Sequence, residues 1–165
     1  MKYGEALHRY PNLLNRDFTA EIPNQKWITD ISCIRTGQGF LCRSAICDLY
    51  DNSIVACKAE TGQTVHLVLS ALRTARKKKR SLQSCNHTET RAFGIPLKRT
   101  QEYGITPSMS RRGNSYANAL TENFFSILKT EYICQARIAS FEETRRLIDD
   151  DIYFYNHERI QLRTK

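Results

Sequence analysis

Long apolar runs are absent from this 165-residue sequence. No run approaches the roughly 20 residues that a membrane-spanning helix needs, and the first residues are too polar for a signal peptide. The hydrophobic share of 41% is that of a globular protein and argues against a disordered chain. We therefore expect a folded protein of the cytoplasm that makes no contact with a membrane.

Closely spaced cysteine pairs are absent as well. None of the six cysteines belongs to a CxxC motif, and four of them lie in apolar, strand-like runs. This pattern argues against a zinc site and favours reduced thiols of the kind found in cytoplasmic proteins.

Negative charge is in deficit, since 25 Lys and Arg residues outnumber 17 Asp and Glu residues and give a formal net charge of +8. Such an excess indicates an anionic partner, most simply nucleic acid. Basic clusters at 73–80 and 110–114 strengthen that interpretation. For the first cluster, electrostatic steering of DNA and a merely solvated segment are both open.

The apolar pattern predicts an α/β domain with a mixed sheet. Three strands joined by tight turns, which imply an antiparallel meander, are predicted at 26–34, 40–50 and 53–60. A helix, a short strand and two further helices are predicted at about 65–76, 102–110, 116–132 and 141–159. Ser140 and Glu143 form a capping box at the start of the last helix.

The domain boundary is predicted near Pro23. Residues 1–22 have the mixed composition of a connecting arm, and 23–165 form the domain. Within the domain, residues 77–100 show neither strand nor helix periodicity and form a degenerate segment.

Two acidic residues are candidates for chemistry. Asp30 lies inside the first predicted strand, where β-propensity and the cost of burying a charge both disfavour it. It is either an edge-strand residue that contacts water or a metal-binding carboxylate. Glu122 lies in a predicted helix, where glutamate is ordinarily just solvated. However, the loop 110–118 before that helix holds two arginines, a glycine and two asparagines, which suits phosphate binding.

Six segments carry a family resemblance: KYGEALHRYPNLLNRDF, PNQKWITDIS, CDLYDNSIVA, YGITPSMSRRGN, NALTENFFSILKTE and FYNHERIQLRTK. Together they resemble the DDE integrase catalytic core of bacterial insertion-sequence transposases of the second-reading-frame type, which are relatives of retroviral integrases. The resemblance covers nearly the whole chain except 77–100. It implies a ribonuclease-H-like α/β fold, with a mixed sheet flanked by helices.

The resemblance also implies a site. Two Mg²⁺ or Mn²⁺ ions are expected on two aspartates and a glutamate, with Asp30 matching the first carboxylate and Glu122 the third. Contacts with DNA are implied for Arg111, Arg112, Asn114, Asn118 and Lys129. One departure is Ala117, because the family usually has aspartate before Asn-Ala in this loop.

An aspartate is missing where the resemblance requires the second one. That residue belongs to an HSDQG-like segment, at the end of a strand and before a helix, and it should fall within 81–100, which contains no aspartate. The usual family separation from Glu122 lands on Asn86, a degenerate ligand that lacks the charge. Glu89 is a further candidate ligand in the same stretch.

A shift of the reading frame explains more of the sequence in this stretch than the alignment with Asn86 does. Residues 80–100, back-translated with permitted codons and read one nucleotide out of frame, accommodate VAAVLQPHRDQGFRYTSQAY, which is a strand, HRDQG and the start of a helix. We hypothesise that this gene copy left the frame near codons 77–79 and returned near Gln101. The hypothesis predicts that a central strand of the fold is lost.

The expected function is therefore that of a transposase catalytic core for DNA integration and recombination, impaired in catalysis. The alternative is a non-catalytic basic DNA-binding or interaction remnant that regulates a full-length transposase. Expected partners are DNA (insertion-sequence ends and target), a second copy of the chain, or a helix-turn-helix partner protein, because the family usually has such a region before this core.

Overall fold

The structure is a computed structural model that describes residues 11, 13–14, 17–78, 87–90, 97–108 and 139–158. Its strands are β1 (Lys26–Thr36), β2 (Gly39–Asp48), β3 (Ile54–Glu60), β4 (His87–Thr90) and β5 (Pro107–Ser108). Its helices are α1 (Val65–Lys78), α2 (Leu97–Glu102) and α3 (Phe141–His157). Within these residues, no helix has the length and apolar character needed to span a bilayer.

All five strands belong to one mixed sheet in the order β3-β2-β1-β4-β5. The pairs β1–β2 and β2–β3 are antiparallel, whereas β1–β4 and β4–β5 are parallel. The predicted meander is confirmed, with a two-residue loop between Thr36 and Gly39, which pair at the end of the first hairpin. Gly39 adopts φ +122°, a backbone conformation that glycine accepts at no steric cost.

Alternation of side chains along the strands creates two apolar layers. One face of the sheet, including Trp27 and Ile46, packs against the buried side of α1 around Val68 and Leu72. The other face, including Ile28 and Ile34, packs against Tyr155 and Ile148 of α3. The domain therefore has helices on both sides of its sheet, as the sequence predicts.

The segment 77–100 differs from its predicted lack of structure. Its first two residues extend α1, His87–Thr90 forms β4 between β1 and β5, and α2 begins at Leu97. The predicted loss of the central strand is thus wrong for these four residues. Strand pairing uses main-chain groups, so a polar sequence with two threonines can still occupy the position between two neighbours. The strand predicted within 102–110 is confined to Pro107–Ser108 because α2 occupies the residues before it.

The expectation of free thiols is wrong for two cysteines. Cys33 on β1 and Cys42 on β2 are directly opposite in the ladder, with 4.0 Å between their Cα atoms, and they form a disulfide. The sequence shows both cysteines but not their register, and register is what brings the two sulfur atoms together. Cys47 and Cys57 are free.

The N-terminus of α3 is held by its own cap and by the first hairpin. Ser140 Oγ accepts a hydrogen bond from the Glu143 N–H at 3.1 Å, which confirms the predicted cap. Glu143 Oε2 accepts from the Ala139 N–H at 3.1 Å, one residue before the cap. Gln38 Oε1, in the β1–β2 turn, accepts from the Phe141 N–H at 2.8 Å. These acceptors satisfy main-chain donors that a helix start leaves open.

The C-terminal end of α3 is attached to the edge of the sheet. The side chain of Asn156 accepts from the Ile54 N–H at 2.8 Å and donates to the Ile54 carbonyl at 3.0 Å. This amide therefore pairs with β3 as a neighbouring strand would. Asn156, the asparagine of the FYNHER segment, therefore has a structural role.

Candidate active site

Asp30 lies where the parallel part of the sheet ends. On one side it pairs with Ala45 of β2, and on the other side the pairing of β1 with β4 ends one residue earlier, at Thr29 and Thr90. In open α/β sheets, ligands bind outside the carboxyl ends of parallel strands. The candidate first carboxylate is therefore at an edge where such sheets commonly hold a ligand.

The side of the sheet that carries Asp30 follows from strand alternation. Ile28 and Ile34, which share its parity on β1, pack beneath α3. Asp30 itself is only half-buried. Since β1 has β2 and β4 on its two sides, the alternative that places Asp30 on an edge strand is wrong.

Arg43 contributes a positive charge to the same layer. It lies on β2 opposite Ser32, two residues beyond Asp30 along β1, and its side chain is 0% exposed. Burial lowers the pKa of the Arg43 guanidinium to about 10, while the charges of Cys57 and Asp151 oppose that shift. Asp151, on α3, is also buried. Nothing in the local sequence indicates this electrostatic interaction, because it arises only after α3 packs on the sheet.

Whether this site can bind a hard cation depends on the oxygen ligands that its residues supply. The Asp30 carboxylate is the type of ligand that Mg²⁺ and Mn²⁺ prefer. In the part of the chain that the structure describes, no group of three or more His, Cys, Asp or Glu side chains is arranged to hold a metal ion. The other predicted site residues lie outside the described residues: Asn86, Arg111, Arg112, Asn114, Asn118, Glu122 and Lys129.

The register of β4 gives the level of each residue near Asp30. His87 pairs with Lys26 and Thr90 with Thr29. Asn86 directly precedes His87 in the sequence. Because His87 is level with Lys26, four residues before Asp30, it lies about 13 Å from the level of Asp30 at the usual strand rise. Thr90, in contrast, is within one residue of the level of Asp30.

The sequence is similar to transposases over almost its whole length. A family profile described as an integrase core domain matches residues 122–165. An uncharacterized transposase-like protein of Haemophilus influenzae is 38% identical, over 98% of this chain and 76% of that protein. A putative transposase, InsK, for insertion sequence element IS150 of Escherichia coli is 31% identical over 98% of this chain. The chain spans 59% of InsK.

The fold is similar to solved retroviral integrases. A chain of a simian T-cell lymphotropic virus intasome, solved with a PP2A regulatory subunit, superposes with a TM-score of 0.72 over 99% of this chain and 58% of that chain, at 15% identity. The HTLV-2 integrase catalytic core domain, solved with magnesium, gives 0.66 over 88% of this chain and 93% of that domain, at 16% identity. At such low identity these matches show the ribonuclease-H-like fold alone. Together with the sequence matches, they show that the chain belongs to the insertion-sequence transposases and forms their integrase-type catalytic core.

Proposed function

We propose that this chain acts on DNA as a transposase catalytic core in the bacterial cytoplasm and that its catalysis is impaired. The observation that carries the proposal is the position of Asp30, a carboxylate at the end of the parallel β1–β4 pair of a ribonuclease-H-like sheet. The net charge of +8 supports a nucleic-acid substrate.

The roles of the individual residues follow from the family. Asp30 and Glu122 would hold Mg²⁺ or Mn²⁺, and the bound ions would supply activation of a hydroxyl nucleophile and stabilisation of the leaving oxygen on phosphorus. The residues expected to hold DNA are Arg111, Arg112, Asn114, Asn118 and Lys129. Insertion-sequence ends and target DNA are the substrates, and a second copy of the chain or a helix-turn-helix protein is the expected protein partner.

The impairment is assigned to the missing second aspartate. In the shifted reading of 80–100, the aspartate codon takes its bases from the codons of Glu89 and Thr90. Thr90 ends β4 beside Thr29, next to Asp30. This supports the frame-slip hypothesis over Asn86 as the position of the lost carboxylate, because two ligands of one metal site must be level with each other.

Restoring a carboxylate tests this proposal. We expect replacement of residues 80–100 by the shifted reading, VAAVLQPHRDQGFRYTSQAY, to raise Mn²⁺ affinity, measured by titration calorimetry, by roughly tenfold or more over the unchanged chain, because a second anionic oxygen ligand joins Asp30. Asn86→Asp in the unchanged chain is the control and should leave the affinity unchanged. Adding Asp30→Asn to the replacement should abolish the gain.

Strand transfer on DNA carrying insertion-sequence ends provides the functional measurement. The unchanged chain should bind this DNA without strand transfer, and the chain with residues 80–100 replaced by the shifted reading should recover measurable activity in Mn²⁺. Strand transfer by the unchanged chain would refute the impairment, and absence of DNA binding would refute the proposed function. If the chain binds DNA but no variant with an added carboxylate gains strand-transfer activity, the result would favour the regulatory remnant. Sequencing the gene across codons 76–102 tests the frame slip independently.

A further inference from the structure

The C-terminal half of α1 carries an exposed cationic cluster, which consists of Arg73, Arg76, Lys77 and Lys78. Arg73, Arg76 and Lys77 are spaced i, i+3 and i+4, so they line one side of the helix. None of the four forms an ion pair with a carboxylate of the described residues. The cluster is therefore a concentration of unneutralised positive charge.

The two arginines are held by contacts from the turn that follows α2. Arg73 Nε and Nη2 donate to Tyr103 Oη at 3.3 and 3.2 Å, and Tyr103 packs against the core beneath α1. Arg76 Nη1 lies 3.1 Å from where a Cβ on Gly104 would be, so the guanidinium rests on this glycine. Ala75, between them, is fully buried. The cluster is thus part of a packed helix that continues to Lys78.

The helix dipole accounts for only part of this arrangement. Cations in the last turn of a helix are favoured by its negative end, which suits Lys77 and Lys78. Arg73 lies before the last turn, and its guanidinium is directed to a tyrosine hydroxyl rather than to the terminal carbonyls. The dipole therefore does not account for the position of Arg73.

The cluster lies at the edge of the sheet opposite to Asp30. Gly104, on which Arg76 rests, comes three residues before Pro107, where β5 begins. Pro107 pairs with Thr88, which pairs with Trp27 near the start of β1. The cluster is therefore beside the N-terminal ends of the parallel strands, whereas Asp30 is beyond the last β1–β4 pair. The level of Trp27 is three residues, or about 10 Å, from the level of Asp30 at the usual strand rise.

We propose that this α1 cluster binds the sugar–phosphate backbone of duplex DNA, without sequence preference, as a second contact remote from the carboxylate edge. The inference rests on the proposed function, because DNA is the polyanion that the chain is proposed to act on. Arginine and lysine side chains on a helix supply the usual contacts to phosphate, and such contacts position DNA rather than read its sequence. A DNA segment bound here is held while another segment lies at Asp30.

The salt dependence of DNA binding tests the proposal. The variant R76Q/K77Q/K78Q removes three charges and leaves the Arg73–Tyr103 contact. The control K58Q/R145Q/R146Q removes three exposed charges from β3 and α3. Against a 30-base-pair duplex of arbitrary sequence, the first variant should reduce the slope of log affinity against log salt by about 2–3 and weaken binding at least tenfold at 0.1 M salt, since each lost phosphate contact contributes about 0.9 to the slope.

The control should change the slope by less than about 1. Equal losses in the two variants would show that only net charge matters and would overturn the proposal. A failure of the unchanged chain to bind duplex DNA would overturn the proposed function together with this inference. Thermal melting of both variants verifies that they fold.

Lysine acetylation of the unchanged chain gives a measurement that requires no variant. Lys77 and Lys78 should be protected from the reagent when duplex DNA is bound, whereas exposed Lys58 on β3 should react equally with and without DNA. Equal reactivity of all three lysines would also overturn the proposal.

Discussion

At the residue scale, the four cysteines that the structure describes divide into two chemical groups. Cys33 and Cys42 close a disulfide across the β1–β2 ladder. Burial raises the pKa of the Cys47 thiol to about 12 and that of the Cys57 thiol to about 11. These two thiols are therefore protonated at neutral pH and are poor nucleophiles, so they do not compete for exchange with the disulfide.

Reduction of the disulfide should lower stability. A bridge that closes a loop of about ten residues contributes roughly 2–3 kcal/mol through the unfolded chain, which corresponds to a fall in melting temperature of about 5–10 °C for a domain of this size. The measurement is a thermal melt of the chain with and without dithiothreitol. The variant C33A/C42A is the control, and its melting temperature should not respond to the reductant. An unchanged melting temperature of the parent chain would contradict the expectation.

At the element scale, the first hairpin and α3 depend on each other. A Cβ atom on Gly37 would lie 2.8 Å from the carbonyl oxygen of Ala139, just before the cap of α3. The adjacent Gln38 side chain accepts from the Phe141 N–H. Glycine at position 37 therefore allows the β1–β2 turn to approach the helix closely enough to supply this acceptor.

Gly37→Ala should destabilise the domain by roughly 1–3 kcal/mol, because the contacting atom belongs to the backbone and the whole helix start must move. Gly62→Ala is the matched control: its Cβ would meet only the Thr64 methyl group at 3.7 Å, an ordinary contact distance. Urea denaturation of both variants measures the difference. Equal midpoints would show that the turn and α3 do not constrain each other.

At the scale of the whole molecule, an electrostatic interaction links the α3 layer with the sheet. Arg43 belongs to the centre of the sheet and Asp151 to the helix above it, and both are buried. The field of Asp151 raises the pKa of Arg43 against the effect of burial, so the helix helps to keep the guanidinium charged. The field of an α3 carboxylate therefore acts on a charge of the sheet, in addition to the apolar contacts of Tyr155 and Ile148 with the sheet.

Removing Asp151 alone should cost more than replacing both charges. Asp151→Asn removes the α3 carboxylate whose field favours the charged form of the buried Arg43, and it should lower the free energy of unfolding by about 1–3 kcal/mol. The double variant R43M/D151L, which replaces the charges with apolar groups, should recover most of that loss. Urea denaturation of the two variants and of the exposed control Asp150→Asn measures the effect. A single variant as stable as the control would refute the coupling.

Much of the fold was predictable because the interactions concerned are local or periodic. The β1–β3 meander follows from apolar runs and turn residues, and the start of α3 follows from Ser140 and Glu143, which lie three residues apart. β4 was not predictable, because a polar tetrapeptide becomes a strand only between β1 and β5. The position of Thr90 beside Thr29, the residue before Asp30, depends on the same pairing.

The sequence by itself determined the family, the basic character and the identity of Asp30 as a candidate ligand, because motif and charge are properties of the chain as written. Only the tertiary structure decided which residues meet. The Cys33–Cys42 bridge and the contact of Arg73 with Tyr103 each join residues from different elements. Such contacts depend on strand register and on helix docking, which are fixed by packing over the whole domain rather than by any local stretch of sequence.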